Sequence, residues 1–434
     1  MRTVMRLSIK WRRMVVLGLV ASVAAILLAL AFAWRPEIPK VAPPAPASFP
    51  QGLVAKGAVL ARLGDCAVCH TADGGRVFAG ARPLATPFGT LFSNNITPDP
   101  DTGIGNWSEA AFRRAMKEGV SRSGSHLYPA LPYEHFTHVS DDDLSALYAF
   151  FMTRRPVRQT APANQLIFPL GFRPLLAGWK LLFLHEGPTA SEPARSPEWN
   201  RGAYLAEGLG HCGGCHSPRN LAGGEDRARA YAGGLAEGWR APALDASNPA
   251  ARRWTVAALE QYLRTGISPE HSAAAGPMGP VVESLSQAPA ADIHAIAVYI
   301  ASLMGNGGGS LTTQAVDQPE RAGRLFPKGD QLFAGACVGC HARGAPMLAQ
   351  GRPALGLASS LRDDDPTSAV QAVLAGIQPP VARRGPMMPS FGNGLNDGQI
   401  AQVLSYARAR FTDRAPWSDL APKVAKLRKE GAQP

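Results

Sequence analysis

Cys66-Ala-Val-Cys-His70 recurs twice along the chain, as Cys212-Gly-Gly-Cys-His216 and Cys337-Val-Gly-Cys-His341. The three copies use every cysteine present. On a helical turn the two thiols of each copy lie three positions apart on one face. Both can then add to the vinyl groups of one porphyrin, and the imidazole that follows reaches an axial position of its iron. Cys66, Cys69, Cys212, Cys215, Cys337 and Cys340 are therefore expected to hold three covalent c-type haems, with His70, His216 and His341 as axial ligands. Zinc would need four donors per site, and each copy offers three. Three disulfides would leave the histidine after every second cysteine without a purpose.

Each copy has a related lead-in: Gly57-Ala-Val-Leu60, Gly202-Ala-Tyr-Leu205 and Gly329-Asp-Gln-Leu332. Each is expected to open a short helix that ends in the haem-binding turn. A long Gly- and Pro-rich loop should follow, then a second helix. Trp107-Ser108 and Trp254-Thr255 mark the start of that helix, with the hydroxyls as N-caps. Gly119-Val120, Gly266-Ile267 and Gly376-Ile377 mark its end. The last helix of each unit shows apolar residues at i, i+3, i+4 and i+7. These are Leu144, Leu147, Tyr148 and Phe151, then Ile293, Ile296, Ala297 and Ile300, then Ile400, Val403, Leu404 and Ala407. Phe150, Tyr299 and Tyr406 hold equivalent positions and read as core aromatics.

The sixth iron ligand follows from counting. Met278 and Met388 each lie twelve residues after Gly266 and Gly376, beside Pro277 and Pro386. A thioether there, opposite the histidine, raises the reduction potential. The same register from Gly119 meets Leu131, which cannot bind iron. His135 is the first candidate to replace it, with His126, His138, Met116 and Met152 behind; otherwise that iron is five-coordinate. His185, His211, His271 and His294 read as surface or helix residues.

The 434 residues carry a formal charge of +11, but six of the 44 basic residues fall within residues 1–35, which hold no acid. The rest, 38 basic against 33 acidic, would be nearly neutral once six haem propionates are added. No basic stripe with interleaved aromatics suggests nucleic acid. Arg2, Arg6, Lys10, Arg12 and Arg13 precede Met14 to Trp34, 21 residues without a charge. As a helix this run spans about 31 Å, enough for a bilayer core. An uncleaved anchor with the body outside is favoured over a signal peptide cut at Ala31-Phe32-Ala33. Either reading exports the body to the periplasmic side of the inner membrane.

The expected fold is all-α: three tandem class I-like cytochrome c domains behind an N-terminal transmembrane helix. The expected divisions are an anchor (1–35), a stiff Pro/Ala linker (36–50) and domain 1 (51–155). An apolar linker (156–196) leads to domain 2 (197–304), and a Gly-rich linker (305–322) to domain 3 (323–412) and a tail (413–434). The apolar linker is broken by Pro169, Gly171 and Pro174 and carries Arg173 and Lys180, so it should not span a membrane. It could lie in the membrane interface, cover a partner, or be a buried strap.

Thr86-Pro-Phe-Gly-Thr90, Asn94-Asn-Ile-Thr-Pro98 through Gly103-Ile-Gly105, and Leu127-Tyr-Pro129 carry a family resemblance. Over residues 55–412 the chain resembles the membrane-anchored three-haem cytochrome c subunits of periplasmic dehydrogenases. The resemblance implies electrons entering from a catalytic subunit and leaving to ubiquinone or a terminal oxidase. Quinoprotein alcohol dehydrogenases, flavoprotein gluconate-type dehydrogenases and molybdenum hydroxylases use such subunits. The alcohol branch has Met where this chain has Leu131. That difference, Pro132-Tyr-Glu-His-Phe136, and Ala409-Arg-Phe411 with Pro416-Trp417 resemble the molybdenum-hydroxylase branch, whose partner includes an iron–sulfur subunit.

The chain has no dinucleotide fingerprint, phosphate loop or nucleophile elbow in a convincing context. Substrate chemistry is therefore expected on another chain, and this one is expected not to be an enzyme. Two alternatives are a catalytic haem protein with an open first haem and a free-standing electron shuttle.

Overall fold

The computed structural model describes residues 9–305, 310, 314–349, 351–378 and 388–431, so Arg2, Arg6 and Pro386 lie outside the described residues. Numbering only helices of seven residues or more, the first is α1 (Ile9–Ala33), followed by α2 (Gln51–Leu63), α3 (Glu109–Glu118) and α4 (Asp141–Met152). Next come α5 (Leu175–Phe183), α6 (Pro197–Glu207), α7 (Val256–Thr265), α8 (Met278–Leu285) and α9 (Ala290–Met304). The third set is α10 (Pro319–Leu325), α11 (Pro327–Ala336), α12 (Thr367–Ala375), α13 (Asp397–Phe411) and α14 (Leu420–Gly431).

Three helix pairs repeat along the chain: α2 on α4, α6 on α9, and α11 on α13. The lead-in glycine sits where each pair crosses. A Cβ on Gly57 would lie 2.0 Å from the carbonyl oxygen of Ala146, on Gly202 1.9 Å from that of Ala295, and on Gly329 2.3 Å from that of Gln402. Phe150, Tyr299 and Tyr406 flank the same crossings, each with its Cβ within 2.8 Å of that added atom. The repeated glycine is thus a close-approach residue, and the repeated aromatic closes the joint beside it.

Each middle helix begins and ends as its flanking residues dictate. Ser108 Oγ accepts from the Ala111 amide (3.3 Å) and Thr255 Oγ1 from the Ala258 amide (3.1 Å). Gly119 (φ 59°) and Gly266 (φ 72°) supply the left-handed residue that stops α3 and α7.

The loops after the first two haem motifs are more ordered than expected. Strands β1 (Pro83–Thr86) and β2 (Gly89–Phe92) form an antiparallel hairpin, joined by β3 (Gln165–Leu166). A second hairpin pairs β4 (Gly234–Ala236) with β5 (Trp239–Ala241) through Glu237 and Gly238, both with positive φ as a two-residue turn requires. These runs are too short to show a period of two in the sequence.

The first two helix pairs share one hydrophobic core, which includes Leu144, Leu147 and Phe151 together with Ile293, Ile296 and Ile300. Asp143, buried in α4, ties them further: it pairs with Lys56 (2.6 Å) and accepts from Tyr204 (2.6 Å). The third pair has its own core, with Ile400, Val403 and Leu404. It docks on the second hairpin, where Ser368 Oγ donates to Arg240 O (2.8 Å) and Gln371 Nε2 to Gly238 O (3.1 Å).

Three connecting segments have distinct surroundings. The Pro/Ala linker does not hang free: the Ile38 amide donates to Arg122 O (2.8 Å), and Glu37 pairs with Arg122 (2.5 Å). The apolar linker is not a buried strap, because Phe168, Phe172, Leu181 and Leu182 face outward. The polar tail folds as α14, burying Leu420, Val424 and Leu427 at helical spacing.

Candidate haem-binding sites

All three motifs adopt one local geometry. The histidine amide donates to the carbonyl of the first cysteine, at 3.1 Å in His70–Cys66, 3.0 Å in His216–Cys212 and 3.0 Å in His341–Cys337. Each motif therefore closes a single helical turn with its thiols on one side, and none of the six cysteines is paired in a disulfide. Burial pushes the Cys66 and Cys212 thiols up to about 12, and Cys69 and Cys337 to about 11. These are apolar surroundings, suited to a porphyrin and not to free thiolates.

The two ring nitrogens of a ligating histidine have separate tasks. His70 Nδ1 donates to Asn94 O (2.7 Å) and His216 Nδ1 to Pro242 O (2.7 Å). That bond fixes the tautomer and leaves Nε2 with its lone pair for iron. Burial holds the His70, His216 and His341 imidazoles below their ordinary pKa, which favours the neutral, ligating form. The carbonyl partners are invisible in the sequence because a backbone oxygen has no residue signature.

In the first site the partner loop is itself locked. Asn95, buried beside Asn94, accepts from the Thr97 amide (2.9 Å) and hydroxyl (2.7 Å) and donates to Val157 O (2.7 Å). This gives Asn94-Asn-Ile-Thr-Pro98 a physical role: it holds the Asn94 carbonyl over His70. Asn95→Ala leaves the buried Thr97 amide without a partner, while the Thr97 hydroxyl keeps its bond to Val157 O (3.3 Å), so it should cost about 1–3 kcal/mol of stability. Thermal unfolding of the holoprotein checks this, with destabilisation expected and an unchanged transition contradicting it.

One cavity of about 450 Å³ runs from the second motif to the third. Its wall includes Cys212, Cys215 and His216 at one end and Cys337 and His341 at the other. Met278 and Met388 both line it, among Leu259, Ile296, Phe333 and Leu404. A mostly apolar space of this size with a few convergent donors is what a haem requires. Met278 opens α8, directly after Pro277. Met388 pairs with Ile377 across an antiparallel bridge, whereas Ile267 pairs with Ala273, so the two methionines reach the cavity from different loop registers. Cys340 is the one exposed cysteine of the six.

The first and second motifs also lie against each other. His211, next to Cys212, packs its ring on Phe136 of the first unit. Arg82 pairs with Glu237 (3.1 Å), and Ser284 Oγ donates to Asp65 (2.5 Å), the residue before Cys66.

Leu131 occupies the position of Met278. Leu127 and Ala274 make the same amide bond, 2.7 Å to the carbonyls of Gly119 and Gly266, and four residues on stand Leu131 and Met278. His135 is turned elsewhere. Its Nδ1 donates to Glu207 O (2.8 Å), its Nε2 meets the Glu225 carboxylate (2.7 Å), and its ring lies beside the second Cys-x-x-Cys-His turn, where a Cβ on Gly213 would sit 3.2 Å from it. Burial alone would lower its pKa, but Glu225 and the Glu207 carbonyl raise it overall. With both nitrogens engaged, His135 offers no lone pair to the first motif in this arrangement.

The other histidines are also placed. His126 Nε2 donates to Ala33 O (2.8 Å) and its Nδ1 accepts from Lys180 (3.0 Å), while His138 Nδ1 donates to Gly187 O (2.6 Å). Met116 and Met152 are buried helix core. His271 corrects the expectation of a surface or helix residue: it is fully buried in a loop, stacked on Trp254 at 3.7 Å.

Known proteins share this sequence over most of its length. A family model described as cytochrome c matches residues 54–155 and 326–409. A nicotinate dehydrogenase subunit of Pseudomonas putida is 48% identical over 405 residues, 93% of this chain. The chain spans only 34% of that relative's length. The gluconate 2-dehydrogenase cytochrome c subunit of Pantoea cypripedii is 39% identical, covering 87% of this chain and 90% of its own. The cytochrome c subunit of the quinone alcohol dehydrogenase of Gluconobacter oxydans is 36% identical, covering 88% and 83%.

Proposed function

We propose, for a chain that belongs to the cytochrome c subunits of dehydrogenase complexes, a role as a three-haem conduit between a molybdenum hydroxylase and the respiratory chain. Its place as the electron-transfer partner of a catalytic dehydrogenase, with haem c held covalently, follows from the family.

The observation that carries the reading is contiguity. The first haem-binding turn abuts the second, and the second shares a cavity with the third. Bound haem supplies a one-electron iron couple at each position. The chain's own residues would do the rest: six thiols would hold the rings, and His70, His216, His341, Met278 and Met388 would offer donors to the irons. The units 51–155, 197–304 and 323–412 would each carry one haem. The likeness to the nicotinate dehydrogenase relative favours a molybdenum hydroxylase as electron donor over a quinoprotein or flavoprotein. Ubiquinone or a terminal oxidase would take the electrons on the periplasmic side of the inner membrane, where α1 would anchor the chain.

The test is purification of the tagged chain from membranes in mild detergent, with metal and cofactor analysis of what co-elutes. Molybdenum and iron–sulfur in a stoichiometric partner are expected. Pyrroloquinoline quinone or flavin would reassign the partner, and no partner at all would leave a free shuttle.

The first iron should differ from the others. With Leu131 in the methionine register, the reduced protein is expected to bind carbon monoxide at one iron per chain. Leu131→Met should abolish that binding and raise the potential of one haem. A wild-type chain that binds no carbon monoxide would return His135 to candidacy.

A further inference from the structure

The strap between the first two units presents an apolar surface. Phe168 is 97% exposed, and Ile167, Phe172, Leu175, Leu181 and Leu182 are exposed with it. On α5, Leu175, Gly178, Leu181 and Leu182 fall on one face by helical spacing, and that face points outward. The helix's one charge points inward: Lys180 Nζ donates to Glu118 O (2.5 Å), Gly119 O (2.7 Å) and His126 Nδ1 (3.0 Å). Arg173 is likewise engaged inside, donating to His126 O (2.7 Å). A helix facing water shows the opposite pattern. Single exposed leucines are ordinary, but a contiguous set from which both cations have been withdrawn is not.

The neighbouring element indicates what covers this face. From Arg13 to Ala33, α1 carries an 18-residue stretch of mean hydropathy 2.8, none of it buried in protein. Its last carbonyl, Ala33 O, accepts from Nε2 of His126, the imidazole whose Nδ1 accepts from Lys180. One ring therefore joins the end of α1 to α5. Arg114 holds the chain just beyond, donating to Pro36 O (2.8 Å). If α1 crosses the bilayer, Ala33 lies at its outer face, and α5 is fixed at the same level.

We infer that the strap from Ile167 to Leu182 is a second membrane contact, its apolar face seated in the outer interface of the bilayer beside the anchor. The occupant is lipid. Two attachments hold the body at one orientation over the membrane, where a single tether would let it swing. The inference rests on reading α1 as an uncleaved anchor.

Full-length holoprotein, reconstituted in phosphatidylcholine vesicles doped with an acyl-chain diazirine phospholipid, tests it by photolabelling and peptide mapping. Label on α1 and on residues 167–182, several-fold above that at exposed Leu325 in the third unit, is expected. Label on α1 with the strap at the Leu325 level would overturn the inference and leave the anchor standing. Label on neither would overturn both. Strap label that disappears when the complex with its catalytic partner is reconstituted would make the partner the occupant, which also contradicts the inference.

Discussion

Gly202→Ala is expected to destabilise the second helix pair by about 3 kcal/mol or more. The added Cβ meets the Ala295 carbonyl oxygen at 1.9 Å and its carbon at 2.6 Å. A side chain in the way could rotate, but this obstacle is backbone inside α9. To restore ordinary contact the two helices must part by more than an ångström, which loosens packing along both. The cost spreads further, because Tyr299 beside the crossing and Tyr231 both donate to the Glu207 carboxylate. Gly57→Ala and Gly329→Ala should act similarly in their own pairs. Gly52→Ala is the control: it lies in α2 with nothing within 4 Å, so alanine should be neutral or mildly stabilising. In a thermal melt of the holoprotein, Gly202→Ala should lower the transition by on the order of 10 °C. An unchanged transition would mean that the crossing is looser than described.

Met278→Leu should leave the fold intact and change the second haem. Leucine is close in volume, so the half-buried site at the start of α8 should repack at little cost. What is lost is the sulfur. A fall in potential on the order of 0.2 V is expected for one haem, a fraction of the roughly 0.8 V that axial ligands span. The reduced variant should also bind carbon monoxide at one more iron than the parent. Met388→Leu should do the same for the third haem. A redox titration with visible spectra checks both. A Met278→Leu titration that overlays the parent would remove Met278 from the ligand set.

Much of this arrangement is legible in the sequence because it is local or repeated. Three pentapeptides mark the proposed haem-binding turns, and Ser108, Thr255, Gly119 and Gly266 bound their helices by short-range chemistry. The apolar positions of α4, α9 and α13 follow a 3.6-residue period and are buried as that period requires. Gly57, Gly202 and Gly329 are visible as a repeat, but their purpose lies in a partner helix some 90 residues away, or about 70 in the third pair. The carbonyls of Asn94 and Pro242, the engagement of both His135 nitrogens and the cavity shared by two motifs are long-range events with no periodic trace. The place of Lys180 is hidden for a related reason. Its charge counts against a membrane span, but nothing local shows that it is drawn inward by two carbonyls at the end of α3.

The most direct measurement is a spectroelectrochemical titration of full-length holoprotein, normalised to haem per chain by pyridine haemochrome. Three haems per chain are predicted, two of them at high potential as His/Met pairs and the first distinct from both. Two or fewer haems per chain, or three indistinguishable transitions, would contradict the account.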